Sequence, residues 1–278
     1  MKKGFISILV AITLLLSVCS FASAAKPVSF MSDIEAQNYF DDFITQAKER
    51  ESNTTDPRNA VYVTSDEFAS LTRDDIEYLF GLIDSFSSRS RTLGIQLNEL
   101  VISEIKDIVY DENHTSTRGV FNLNAMELLY CAGYPIHGIA YVQMSEMCQT
   151  KAYSIYTEGS CWYSGNGDAF RHVSWNVLLY RAFHGYNNVD GLAGFTLEQR
   201  VKLFTDAHEY YEPDGVDKTM DLQNNIKGLQ YCAPAWFLNS INDIFTYVEN
   251  YCDLGFAYRV GEKNGVRVLV ATNNSEKN

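Results

Sequence analysis

The sequence predicts a mainly α fold: a helical domain that ends in a C-terminal β-hairpin and is preceded by an N-terminal helical extension. Three observations carry this expectation. Apolar residues recur three and four apart from Ile34 to Tyr251, the period of helices with one buried stripe. Ser, Thr or Asn before these runs, and Gly or Pro after them, divide the stretch into separate helices. From Phe256 the period changes to two, and Asn264-Gly265 lies between the alternating runs as the turn of a hairpin.

Residues 1–24 read as a secretory leader, with Lys2 and Lys3, an apolar run from Phe5 to Val18, and Ala22-Ser23-Ala24 at the cleavage point. The expected product is a secreted, extracellular chain. The apolar run is short for a bilayer span and no later run is longer, so no stable membrane anchor is expected. Losing two lysines takes the net charge from −13 to −15, which gives nucleic acid or an anionic membrane nothing to bind electrostatically. Five cysteines remain: Cys131, Cys148, Cys161, Cys232 and Cys252. The odd number leaves a thiol unpaired, and no CxxC or Cys-His spacing marks a structural zinc.

Residues 25–118 form the extension. Its first helix, Ile34 to Glu51, turns Ile34, Tyr39, Phe40, Phe43, Ile44 and Ala47 inward. The second, Thr72 to Ser87, buries Ile76, Leu79, Phe80 and Ile83, and the third runs from Leu97 to Tyr110. No catalytic spacing occurs here, so the extension either packs on the main domain or offers a surface to a protein partner. The polar run Asp111–Arg118 sets the boundary of the main domain, residues 119–272. There Asn124 caps a short helix that Gly133 ends, and Pro135 opens a longer one to about Tyr156. His137 reads as a partly exposed helix residue without a role. The next helix runs to Phe183 with Asp168 as its N-cap. Thr196 caps another whose inward stripe includes Leu197, Val201, Phe204 and His208. Met220 to Gly228 is a short helix closed by Gly228, a further helix runs from about Ala235 to Tyr251, and the tail after Val270 is expected to fray.

The candidate chemistry lies in Ser164–Asn176, SGNGDAFRHVSWN. Asp168, His172, Trp175 and Asn176 share one helical face, although buried polar groups are costly unless they find partners. Two segments offer such partners: Thr205–Asp214, with Asp206, His208 and Glu209, and Met220–Gly228, with Asp221, Asn224 and Asn225 on one face. With their Asp-Ala-Phe-Arg-His and Trp-Asn, Asp-Ala-His-Glu, and Met-Asp with paired asparagines, the three segments resemble the bacterial domain-of-unknown-function 6973 family. The resemblance covers about Phe121 to Val270. Members occur in exported proteins and at the ends of large toxin-like chains. The resemblance implies a helical domain with a polar site shared among Asp168, Arg171, His172, Asn176, Asp206, His208, Glu209, Asp221, Asn224 and Asn225. It implies no particular activity.

Three readings stay open. In the first, a hydrolase holds a divalent metal such as zinc on His172, His208 and Asp168, with Glu209 or Asp221 able to join. Asp206 and His208 cannot share that ion, because residues two apart on a helix point about 200° apart. In the second, His172 or His208 is a metal-free base oriented by Asp168 or Asp221. Both readings take Asp168, His172, Asn176, His208, Glu209 and Asp221 as catalytic, and Arg171, Trp175, Asn224 and Asn225 as substrate contacts. A phosphodiester or phospholipid substrate is suggested only by the family's toxin-like company. The third reading is a non-enzymatic binding or structural domain whose cluster is a buried hydrogen-bond network, with Arg171 paired to Glu209 or Asp206.

Overall fold

The structure, a computed structural model, describes residues 31–87, 94–115, 121–162, 164–186, 192, 194–236 and 239–278. The expected leader lies outside the described residues, and the expected boundary at residue 118 falls within a stretch that also lies outside them. The chain is mainly helical, as its periodicity predicts. The extension supplies α1 (Asp33–Ser52), α2 (Ser65–Ala69), α3 (Arg73–Ser87) and α4 (Gly94–Val109). The rest supplies α5 (Ala125–Gly133), α6 (Pro135–Ile155), α7 (Glu158–Trp162), α8 (Asn166–Gly185), α9 (Leu197–His208) and α10 (Val216–Ile226). A π-turn (Lys227–Cys232), α11 (Ala233–Trp236), α12 (Ile241–Asp253) and the hairpin β1 (Tyr258–Lys263) and β2 (Val266–Ala271) follow.

Helix α8 is the hub. It packs against α6, α7, α9, α10, α12 and the π-turn, so both its apolar face and its polar face are buried. Phe170, Val173, Val177 and Leu178 fill the core, and Trp175 packs on Tyr141 with ring centroids 4.7 Å apart. Local sequence set several ends as expected. Asn124 caps α5 in a reciprocal box with Glu127, Thr196 caps α9 with Gln199, and Pro135 opens α6. The antiparallel hairpin turns through Asn264 and Gly265, with φ of 55° and 75°, where a two-residue turn needs positive φ twice. The extension packs on the same core: Phe40 stacks on Phe195 at 4.9 Å and Phe43 on Tyr134 at 4.8 Å.

Several expectations are corrected. Asp168 is not the N-cap of α8; the helix begins two residues earlier with Gly165 as cap, leaving Asp168 in the first turn with its side chain free for other work. His137 is fully buried, its ring edge-on to Phe183 at 4.5 Å, because α9 and the end of α8 close over the start of α6. Ile34 is 75% exposed rather than turned inward, since no described element covers it. Gly228 does not close α10, which continues through the π-turn. A Cβ there would lie 2.5 Å from the carbonyl oxygen of Val173, so the glycine instead permits close approach to α8.

The tail does not fray. Glu276 Oε2 accepts from the Asn166 backbone N–H at 2.8 Å and from Ser160 Oγ at 2.6 Å, and Asn166 Nδ2 donates to the carbonyl of Ser275 at 2.8 Å. Lys277 reaches Glu249 and Asp253 at 2.8 and 2.7 Å. The last residues thereby strap the start of α8 in place. All five described cysteines are buried free thiols. Among the described residues no helix is long and apolar enough to cross a membrane.

Candidate functional site

Three helices converge on the polar face of α8. From α8 come Asp168, Arg171, His172 and Asn176. Glu209 comes from the residue that caps the C-terminal end of α9, and Asp221 and Asn225 come from α10. Asn224 fixes α10 in position by donating to the carbonyl of Tyr258 at 2.8 Å and accepting from its N–H at 2.9 Å, which ties the helix to β1 as a neighbouring strand would. Asn224 therefore serves the frame of the site.

The protonation of His172 follows from a chain of hydrogen bonds. The carbonyl of His172 can only accept, so the Asn176 group 3.0 Å from it is the donating Nδ2. That same Nδ2 donates to Asn225 Oδ1 at 2.8 Å, which makes the Asn225 atom an acceptor. His172 Nδ1 lies 3.1 Å from this oxygen and must carry the proton. Nε2 then carries no proton and offers a lone pair. It accepts from Arg171 Nη2 at 3.1 Å and faces Asp221 Oδ1 at 3.2 Å and Asp168 Oδ1 at 3.6 Å. Arg171 Nη2 bridges the lone pair and Asp168, but the contact with Asp221 Oδ1 is repulsive unless a proton or a cation lies between the two atoms. A histidine whose Nδ1–H is held by an amide oxygen while Nε2 meets carboxylates is also the usual arrangement at a metal.

Asp168 Oδ1 accepts from Arg171 Nη2 at 2.6 Å, the one strong ion pair of the cluster. Arg171 does not pair with Glu209 or Asp206 as expected. Asp206 faces outward and pairs with Lys202, as its place on the far side of α9 from His208 requires. Glu209 is 1% exposed, and neither of its carboxylate oxygens has a hydrogen-bond partner; Asp221 Oδ1 and Asn225 Nδ2 are likewise buried without one. Burial pushes the Glu209 carboxyl up to about 8. Burial, and then the charges of Asp168 and Glu209, push Asp221 up to about 10. Burial and the adjacent Arg171 hold His172 well below the ordinary histidine range.

His208 is nearby but apart, with its ring 6.1 Å from that of His172. Its Nδ1 is 2.9 Å from Glu127 Oε1, which also accepts from the Tyr141 hydroxyl at 2.5 Å. Burial would lower the His208 pKa, but the Glu127 carboxylate outweighs it and the net shift is upward. The groups whose ligand atoms lie within 4.8 Å of one another are Asp168, His172 and Asp221, and Glu209, Glu212 and Asp221. Among the described residues His208 joins neither, so the expected trio of His172, His208 and Asp168 is replaced by one containing Asp221. Glu127 and Glu212 were missed by sequence reading. Glu127 reads as a local cap, and the Asn124-x-x-Glu127 box was the only trace of it.

Asp168, Arg171, His172, Trp175, His208, Glu212 and Asp221 line a cleft of about 1120 Å³. Trp175 Nε1 is already engaged with the carbonyl of Tyr141 at 3.2 Å, so only its ring is left for a ligand. Residues 128–252 match the family model described as a domain of unknown function (DUF6973), in agreement with the resemblance carried by the three signature segments. The matched span contains Asp168, His172, Glu209 and Asp221. No curated protein and no solved structure matches the chain.

Proposed function

We propose that this chain is exported and that its helical domain binds a divalent cation through Asp168, His172 and Asp221. The observation that carries this reading is the unprotonated Nε2 of His172, its tautomer fixed by Asn225, which lies 3.2 Å from Asp221 Oδ1 and 3.6 Å from Asp168 Oδ1. Charge supports it: once Glu209 and Asp221 release the protons that burial holds on them, the three carboxylates of Asp168, Glu209 and Asp221 against Arg171, with His172 neutral, leave two negative charges for a divalent ion to balance. One imidazole with two carboxylates suits zinc or manganese. The test is equilibrium dialysis of chelator-treated protein against Zn²⁺ or Mn²⁺, with metal content, proton release and melting temperature measured together. Binding with release of protons and a raised melting temperature is expected. No bound metal and no shift would leave a protonated Asp221 donating to Nε2, in a structural hydrogen-bond network.

A hydrolase is the second reading, favoured by the cleft into which Asp168, His172 and Asp221 open. An ion on these residues would lower the pKa of a bound water, and His208, held toward its protonated form by Glu127, would give a proton to the leaving group. Phosphodiester and phospholipid esters are the substrates to try on metal-loaded protein. Turnover lost in Asp168→Asn and retained in Asp206→Asn, a change on the outward side of α9, would favour this reading over simple binding.

A further inference from the structure

The ion held by Asp168, His172 and Asp221 leaves one feature of the cluster unexplained. Glu209 is 1% exposed, its two oxygens have no hydrogen-bond partner, and His172 Nδ1, 3.8 Å away, already donates to Asn225. A buried carboxylate without a partner is among the most costly groups a fold can hold. A proton removes the charge of Glu209 but does not satisfy the cluster, because Glu212 and Asp221 bring further carboxylate oxygens within 4.8 Å that a single O–H cannot serve together. A cation does. Glu209, Glu212 and Asp221 bring ligand oxygens within 4.8 Å of one another, and Glu212 lies in the exposed turn after α9, where its side chain is free to close the site from the cleft.

We infer that the centre is built for two ions: beside the first, a second divalent cation is held by Glu209, Glu212 and Asp221, with the Asp221 carboxylate shared between the two. The inference rests on the cation-binding reading above and adds a distinct position to it. Ions that share a carboxylate lie about 3.5–4 Å apart, the spacing of paired-metal sites. The two positions differ in chemistry. The first has an imidazole and suits zinc or manganese, whereas the second is all carboxylate oxygen and suits a hard ion such as Mg²⁺, Mn²⁺ or Ca²⁺. The ligand class that such a centre takes is an anion able to bridge both ions.

The experiment counts Mn²⁺ bound to chelator-treated protein and records its electron paramagnetic resonance spectrum. Wild type should bind close to two Mn²⁺ per chain with a spin-coupled signal. Glu212→Gln, an exposed change that leaves the core intact, should bind close to one, with an uncoupled signal. His172→Ala should lose the other ion and keep the oxygen site. Protein preloaded with one Zn²⁺ should still take up about one Mn²⁺. One ion in wild type and one in Glu212→Gln would overturn the second site while leaving the first reading standing. No ion in either protein would overturn both.

Discussion

Two buried charged clusters among the described residues are treated in opposite ways. In the extension, Lys106 Nζ donates to the carbonyl of Pro57 at 2.6 Å and to both oxygens of Glu67 at 2.7 and 2.6 Å, which uses every ammonium proton. Glu67 also accepts from the Thr64 N–H at 2.8 Å and the Tyr110 hydroxyl at 2.8 Å. That cluster is complete within the protein, and loss of solvation is offset by bonds on all sides. On the polar face of α8, Glu209 has no partner, Asp221 Oδ1 has none, and a histidine lone pair faces carboxylates. The same chain is capable of finishing a buried ion pair. That it leaves the second cluster open points to something outside the protein completing it.

The largest test of this contrast is to break the finished cluster. Lys106→Met strands the Glu67 carboxylate and should cost about 3–5 kcal/mol in urea unfolding, as removal of one partner from a buried pair does. A loss near zero would mean that the two clusters are not different in kind. Next comes metal removal. At a free ion concentration of about 100 times Kd, chelation should lower stability by about 2.7 kcal/mol, visible as a fall in melting temperature.

The third test is pH. In metal-free protein the Glu209 carboxyl is raised to about 8 and Asp221 to about 10, so the folded state holds more protons than the unfolded state above the ordinary carboxylate range. Their burial carries no electrostatic penalty below about pH 4, and the penalty grows as pH rises toward 8, so apo stability should fall across that window by up to about 1.4 kcal/mol per pH unit for each such group. Saturating metal replaces those protons and should flatten the slope or reverse its sign. Denaturant midpoints at pH 5, 6, 7 and 8, with and without ion, measure this. Parallel curves would argue that no ion takes the place of the protons.

The smallest effect is expected where an unfinished site loses one crowded member. Of His172→Ala, His208→Ala and Asp221→Asn, measured metal-free, at least two should match or exceed the wild-type urea midpoint, within about 0.5 kcal/mol on the low side. His208→Ala is the informative one, since its Glu127 partner keeps bonds from Tyr141 and from the Asn124 backbone N–H. A uniform loss of several kcal/mol would show a structural keystone in place of an open ligand site.

The linear sequence determined what depends on neighbours within a turn or two. The caps at Asn124 and Thr196, the Asn264-Gly265 turn, the shared face of Asp168, His172 and Asn176, and the opposed directions of Asp206 and His208 all follow from local geometry and were legible before any fold. So were the three segments that bear the polar groups. Only the tertiary structure decided which of these groups meet. Periodicity says that a face is buried and is silent about what buries it. Glu209 and Asp221 came to the centre, His208 was drawn aside by Glu127, from a helix about 80 residues earlier, and Asn225 fixed the His172 tautomer across 53 residues. The tail looked like a frayed end because its bonds to Asn166 span about 110 residues and leave no local mark. Gly228 looked like a helix stop because a stop and a close helix contact make the same demand, the absence of a side chain, and only the position of Val173 tells them apart.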